Sequence, residues 1–177
     1  VRTLDVDVPL VVMCYYNTVH HAGHERFASQ LVQAGIVGAI IPDLPLEESG
    51  PWCAAADAVG LATIMLAAPT APDDRLPRVC AQARGFVYSV GLLGVTGERT
   101  ELAATASQLA GRLKKVTDVP VIIGVGVSNS AQAVEACKVA DGIVQGASVV
   151  RRLMESGPDA VGAYVAEVRS AIDSASV

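Results

Sequence analysis

Short runs of branched apolar residues alternate along the chain with longer stretches in which apolar positions recur every three or four residues. The first kind reads as strands covered on both faces, the second as helices lying against them. The pattern predicts strands over 9–15, 37–41, 61–66, 86–90, 119–123 and 142–144. It predicts helices over 24–33, 54–59 and 130–138, an Ala-rich helix ending near 115, and two more helical stretches reaching 172. A polar loop with Asn17 and Gly23 follows the first strand. Gly35 stops the first helix, Pro42 ends the second strand, and Pro45-Leu46-Glu47-Glu48 can open a helix. Asp73 and either Ser128 or Asn129 are N-cap candidates.

One strand–helix unit recurs roughly every 25–30 residues, the spacing of βαβ units. No linker or shift in composition interrupts the series, so residues 1–177 are expected to form one α/β domain with a parallel sheet. Two architectures fit: an open doubly wound sheet, or part of a (β/α)8 barrel. The glycine-rich turns favour the barrel. V-I-I-G-V-G-V-S-N-S (121–130) and G-I-V-Q-G-A-S-V-V (142–150) follow the last two strands, where barrels place phosphate sites. A dinucleotide fold carries G-x-G-x-x-G after its first strand instead. Six units are present where a barrel has eight. The expectation is a TIM barrel represented by its third to eighth units, with the first two absent from this sequence.

Composition narrows the function. Hydrophobic residues make up 51% and charged ones 18%, which excludes a disordered chain. The net charge of -5, with no basic run beyond Lys114-Lys115 and Arg151-Arg152, argues against a nucleic-acid surface. An anionic small molecule stays open, because backbone N–H groups bind phosphate without net positive charge. Cys14, Cys53, Cys80 and Cys137 lie far apart with no C-x-x-C pair, so free thiols in a reducing cytoplasm are expected. No signal peptide or bilayer-length apolar run is visible.

The candidate chemistry lies at strand ends. Gly124 with Gly126, and Gly146-Ala147-Ser148, can each bring backbone N–H groups and a helix N-terminus to one anion. The loop 91–99 is long and has three glycines, and Thr96 and Gly97 are its best-placed donors. Asp43 follows a strand directly; it is either an acid–base group or a helix or loop carboxylate. Tyr15 and Tyr88 either present hydroxyls to a ligand or cover the rim of the core. His20, His21 and His24 form H-H-x-x-H, without the carboxylate or cysteine that would complete a metal pattern. Trp52 packs its helix onto the sheet or marks an interface.

Six motifs occur together in order: C-Y-Y-N (14–17), I-P-D-L-P-L-E-E (41–48), A-P-T-A-P-D-D-R (68–75), Y-S-V-G-L-L-G-V-T-G (88–97), G-V-G-V-S (124–128) and D-G-I-V-Q-G-A-S-V-V (141–150). Together they resemble the tryptophan synthase alpha-chain family over nearly the whole sequence. The resemblance implies a (β/α)8 barrel that cleaves indole-3-glycerol phosphate to indole and glyceraldehyde 3-phosphate. It implies a beta-chain partner, in an alpha2beta2 assembly, that carries pyridoxal phosphate; no cofactor is expected in this chain. By the resemblance, phosphate contacts fall on Gly97, Gly126, Gly146 and Ala147. The family commonly has Ser at the last of these, so a hydroxyl contact is missing while the N–H remains. Tyr88 matches an active-site tyrosine, Thr96 the threonine of a closing loop, and Tyr15 a pocket tyrosine. Asn17, Asp43 and Pro45 match positions facing the beta chain.

The family's two catalytic carboxylates sit in a stretch resembling E-x-G-x-P-F-S-D-P, and nothing like it occurs here. Tyr88 and Thr96 can orient such groups but not replace them, so the chain alone is expected to be inactive. Two other readings fit less of the pattern. One is another phosphate-binding barrel of tryptophan or histidine biosynthesis. The other is a non-catalytic subunit that holds a sugar phosphate or a partner.

Overall fold

The computed structural model describes residue 4 and residues 6–91, 104–124 and 126–175. Strands β1 (Leu10–Met13), β2 (Ile36–Ile40), β3 (Ala62–Ala67), β4 (Val87–Val90), β5 (Val121–Gly124) and β6 (Gly142–Ile143) form one sheet in sequential order. Every neighbouring pair is parallel. A doubly wound sheet reverses its strand order at a switch point. This one never does, which is the order of a barrel wall.

The alternation of side chains gives the sheet two unlike faces. Leu10, Val12, Ile36 and Ala39 pack with Val19, Ala28, Trp52 and Leu61 under α1 (Tyr16–Ala22), α2 (His24–Gln33) and α3 (Gly50–Asp57). Ala67, Val87, Val121 and Ile123 pack with Leu76, Leu109 and Leu113 under α4 (Arg75–Gln82) and α5 (Ala104–Leu113). The alternate residues lie on the other, concave face and are less covered: Tyr88, Val90, Ile122 and Gly124 are half-buried. On β1 the alternates Val11 and Met13 are exposed, and so is Tyr15 just beyond the strand, at 68%. Among the described residues β1 and β6 each pair on one side only. The architecture is thus a partial (β/α)8 barrel with its helices on the convex side.

Helix α6 (Ser130–Cys137) and helix α7 (Ala147–Ser174) close the far end through Ala133, Tyr164 and Val168. Gly157, at φ +80°, is non-helical and stands just before Pro158, so α7 consists of two helical stretches meeting at a kink, as read from the sequence. No helix among the described residues is long and apolar enough to cross a membrane. Cys53, Cys80 and Cys137 are buried and all four thiols are free. Burial pushes the thiols of Cys14, Cys80 and Cys137 up, which keeps them protonated.

Three local readings are corrected. The loop with Asn17 is helix α1, held at its start by a carboxylate far away in sequence. The helix expected from residue 54 begins at Gly50, with Pro51 in its first turn, where a missing N–H costs nothing. Asp73 is not an N-cap; it accepts from Arg112 Nε at 2.8 Å, and Asp74 holds the cap position without a side-chain bond.

Asp141 ties three elements together. Its carboxylate accepts from Lys114 Nζ at 2.8 and 2.9 Å and from the Val121 N–H at 2.7 Å. Burial pushes its pKa up, but the Lys114 hydrogen bond and the Val121 N–H outweigh this and hold it below the ordinary 3.8. A depressed folded pKa adds stability above the unfolded value, and that stability fades as pH falls through the folded one. The side chain is 38% exposed, so screening limits the gain. Asp141→Asn is expected to lose about 0.5–1 kcal/mol at pH 7. In urea titrations the difference from the parent should shrink as the pH falls below about 4. A difference unchanged at pH 2 contradicts the assignment.

Candidate functional site

The two glycine-rich turns meet, and each glycine has its own reason. A Cβ on Gly124 would overlap the ring of Tyr88. The two residues sit on the concave face of adjacent strands, so bare backbone at 124 is what lets the ring lie across β5. Gly126 has φ +54°, the left-handed region that costs other residues about 1–2 kcal/mol. Gly146 is different: its φ is -123° and a Cβ there would meet nothing within 4 Å.

Beyond Gly126 the chain turns into α6. Asn129 is the N-cap, extended at φ -149°, and its Oδ1 accepts from the Gln132 N–H at 2.9 Å. Gln132 answers with its own Oε1, which accepts from the Ser128 N–H at 2.8 Å and lies 3.1 Å from the Ser128 hydroxyl. This reciprocal pair is a capping box displaced by one residue. It also removes the Ser128 N–H from the donors available to a ligand. The N–H groups of Gly126 and Val127 have no acceptor among the described residues. After β6, Gly146 caps α7, whose first N–H groups, including those of Ala147 and Ser148, have no acceptor within their own helix.

The two turns share one carbonyl as an acceptor. Val127 O accepts from the Ser148 hydroxyl at 3.2 Å and from Gln145 Nε2 at 3.4 Å. Gln145 Nε2 also donates to the Tyr164 hydroxyl at 2.6 Å. The donor-rich starts of α6 and α7 are therefore neighbours, and their positive dipole ends act on the same region.

Tyr88 stands on the concave face one strand away from this corner, and burial pushes its phenol pKa up, so it is a neutral hydroxyl. Tyr15 lies three strands further along the wall, exposed at the end of β1. Thr96 and Gly97 lie outside the described residues. Asp43 accepts the Tyr16 N–H at 2.8 Å, placing its charge at the start of α1. That is the helix-end alternative read from the sequence, realised from a neighbouring loop. The same bond joins the loops after β1 and β2, and Asn17, Asp43 and Pro45 are all exposed there.

His20, His21 and His24 lie across the α1–α2 junction and meet aromatic partners. The Tyr16 hydroxyl and His24 Nε2 are 3.0 Å apart, and the His24 ring lies edge-on to Trp52 at 6.4 Å. No group of three or more metal-ligating side chains comes together among the described residues. A cavity of ≈ 610 Å³ lies between the ends of β2 and β3 and the start of α4. Apolar residues such as Ile41, Trp52, Met65 and Val79 line it, and neither glycine turn does. Arg75 at its border is bound to Glu47 by two hydrogen bonds of 2.6 and 2.8 Å. Sequence reasoning missed Gln132, Gln145 and Tyr164; the one visible signal was Gln132 three residues after Asn129.

The family model for the tryptophan synthase alpha chain matches residues 1–173. The chain is 45% identical over 154 residues to a tryptophan synthase alpha chain of Streptomyces coelicolor, which covers 87% of this chain and 57% of that protein. It is 43% identical over 159 residues to one from Methanosarcina mazei, covering 89% and 58%. Among solved structures, the tryptophan synthase a2b2 complex from Pyrococcus furiosus superimposes with a TM-score of 0.84 at 34% identity, over 94% of this chain and 68% of that one. Tryptophan synthase from M. tuberculosis in its aminoacrylate-bound form gives 0.83 at 34%, over 94% and 62%. The chain thus spans less than two thirds of the length of these curated relatives. Sequence motifs, strand order and the paired glycine turns agree, and the chain belongs to the tryptophan synthase alpha-chain family.

Proposed function

We propose that this chain forms the phosphate-holding wall of a site for indole-3-glycerol phosphate, in a lyase that releases indole and glyceraldehyde 3-phosphate during tryptophan biosynthesis. The observation that carries the reading is the stitching of the two turns through Val127 O. It brings the helix starts at Ser130 and Ala147 to one corner, where a phosphate monoester meets N–H groups and dipole ends together. Gly126, Gly146 and Ala147 hold the phosphate, with Gly97 contributing from its loop. Tyr88 and Tyr15 line the space for the glycerol and indole parts, and Thr96 positions the reacting end. Asn17, Asp43 and Pro45 face a tryptophan synthase beta chain, which takes up the indole. The free thiols suit a reducing cytoplasm.

Binding of sn-glycerol 3-phosphate tests this reading without turnover. In 15N-labelled protein the amide signals of Gly126, Val127, Ala147 and Ser148 are expected to shift with a common dissociation constant, while those of α2 stay in place. Shifts confined to other regions, or none at millimolar ligand, reject it.

A further inference from the structure

Behind the two turns lies a cation that the substrate-facing residues do not explain. Arg152, one turn into α7, folds back so that its guanidinium carbon lies 3.6 Å from the centroid of the Tyr164 ring. Nη1 donates to Ser148 O at 3.0 Å and Nη2 to Ser128 O at 3.4 Å. One planar group thus holds one carbonyl from each turn. Tyr164 beneath it is buried, comes from beyond the Gly157 break, and receives the Gln145 bond described above.

Two consequences follow from this geometry. Peptide planes are rigid, so fixing a carbonyl also fixes the N–H of the next residue. Val127 O is held by Ser148 and Gln145, and Ser128 O by Arg152, so two consecutive planes just after the left-handed Gly126 cannot rotate. The second consequence is electrostatic. Arg152 meets no carboxylate among the described residues, whereas its neighbour Arg151 pairs with Glu155 at 3.1 Å. Among the described residues the Arg152 charge meets carbonyl dipoles and an aromatic face, and its field persists at the corner where the turns meet.

We propose that Arg152, held flat on Tyr164, is the positioning residue of this corner: it locks the two turns in one arrangement and supplies the unneutralised charge that draws in a phosphate monoester. The assignment rests on the proposed phosphate site, and its test separates the two. Lysine is not an equivalent, because its point charge lacks the fork and the plane that stacks.

The experiment uses the 177-residue chain with Arg152→Met and Arg152→Lys, probed with sn-glycerol 3-phosphate and with inorganic phosphate. Arg152→Met is expected to weaken glycerol phosphate binding about tenfold at low salt and to flatten the salt dependence of the constant. Arg152→Lys keeps the salt dependence and loses about threefold, because the charge remains without the fork. Amide hydrogen exchange is measured on the same proteins without ligand. Both variants are expected to speed exchange at Asn129 and Val149, whose N–H groups share peptide planes with the two held carbonyls, and to leave α2 unchanged. Parent affinity and salt dependence in Arg152→Met overturn the electrostatic role, and unchanged exchange overturns the positioning role. If the parent binds neither probe, the phosphate reading falls and exchange alone decides the positioning role. If Arg152→Met does not fold, Arg152→Gln, which also removes the charge, takes its place.

Discussion

Given indole-3-glycerol phosphate, the 177-residue chain should release indole at no more than about 10⁻⁴ of the rate of the Streptomyces coelicolor relative, with or without a beta chain. Cleaving the carbon–carbon bond requires a proton delivered to indole C3 and another removed from a glycerol hydroxyl. Each transfer, made by a positioned side chain, contributes roughly 10²- to 10⁴-fold. A pair of carboxylates held at different pKa values could do both. Among the described residues, three carboxylates near the strand ends are otherwise engaged: Asp43 with the Tyr16 N–H, Glu47 with Arg75, and Asp73 with Arg112. Tyr88 is a neutral phenol that orients better than it ionises. On the proposed function, binding with negligible turnover is therefore the expected result for this polypeptide. The check is discontinuous detection of indole over hours, against a no-protein blank. Indole at a rate near that of the relative would show that groups in this chain carry the proton transfers, and would overturn the assignment of Tyr88 and Thr96 to a supporting role.

Trp52→Ala should be the most destabilising single truncation on the convex side. Trp52 is 3% exposed and packs among Phe27, at 6.1 Å between ring centroids, and the His24 ring. It joins α2 to α3 over β2, within the cluster that also holds Val19, Ala28 and Leu61. Burial of an indole and the void left by its removal together make such changes cost about 3–5 kcal/mol. One side of Trp52 already borders the ≈ 610 Å³ cavity, so the neighbours have little to collapse onto. The upper part of that range is expected. Domains of this size are stable by about 5–15 kcal/mol, so much of the population could unfold at 37 °C. A urea midpoint reduced by less than a third of its value, with the slope unchanged, would show that the site relaxes around the loss.

The strands and most helices were legible because apolar periodicity is a local signal: α2 lies over the residues read for it, and Asn129 is the cap. Helix α1 was not legible. Of its residues Tyr16–Ala22 only Val19 is fully buried, the rest being mostly polar or aromatic, and the bond that starts it comes from Asp43, 27 positions away. No window along the chain contains that contact. The same limit applies at the site. The two glycine turns announce themselves in sequence, and Tyr88 follows from the motif around it. Val127 O as the shared acceptor does not, because Gln145 and Ser148 reach it from the turn after the neighbouring strand. Gly124 was read as room for an anion, but the structure gives it to the Tyr88 ring.

That last exchange couples two positions during divergence. A ring at 88 and a side chain at 124 compete for the same volume, so neither can enlarge while the other keeps its size. Alanine at 124 requires the ring at 88 to turn away or to shrink, and either change moves its hydroxyl from its place on the inner wall. Substitutions at the two sites are therefore expected to be strongly non-additive.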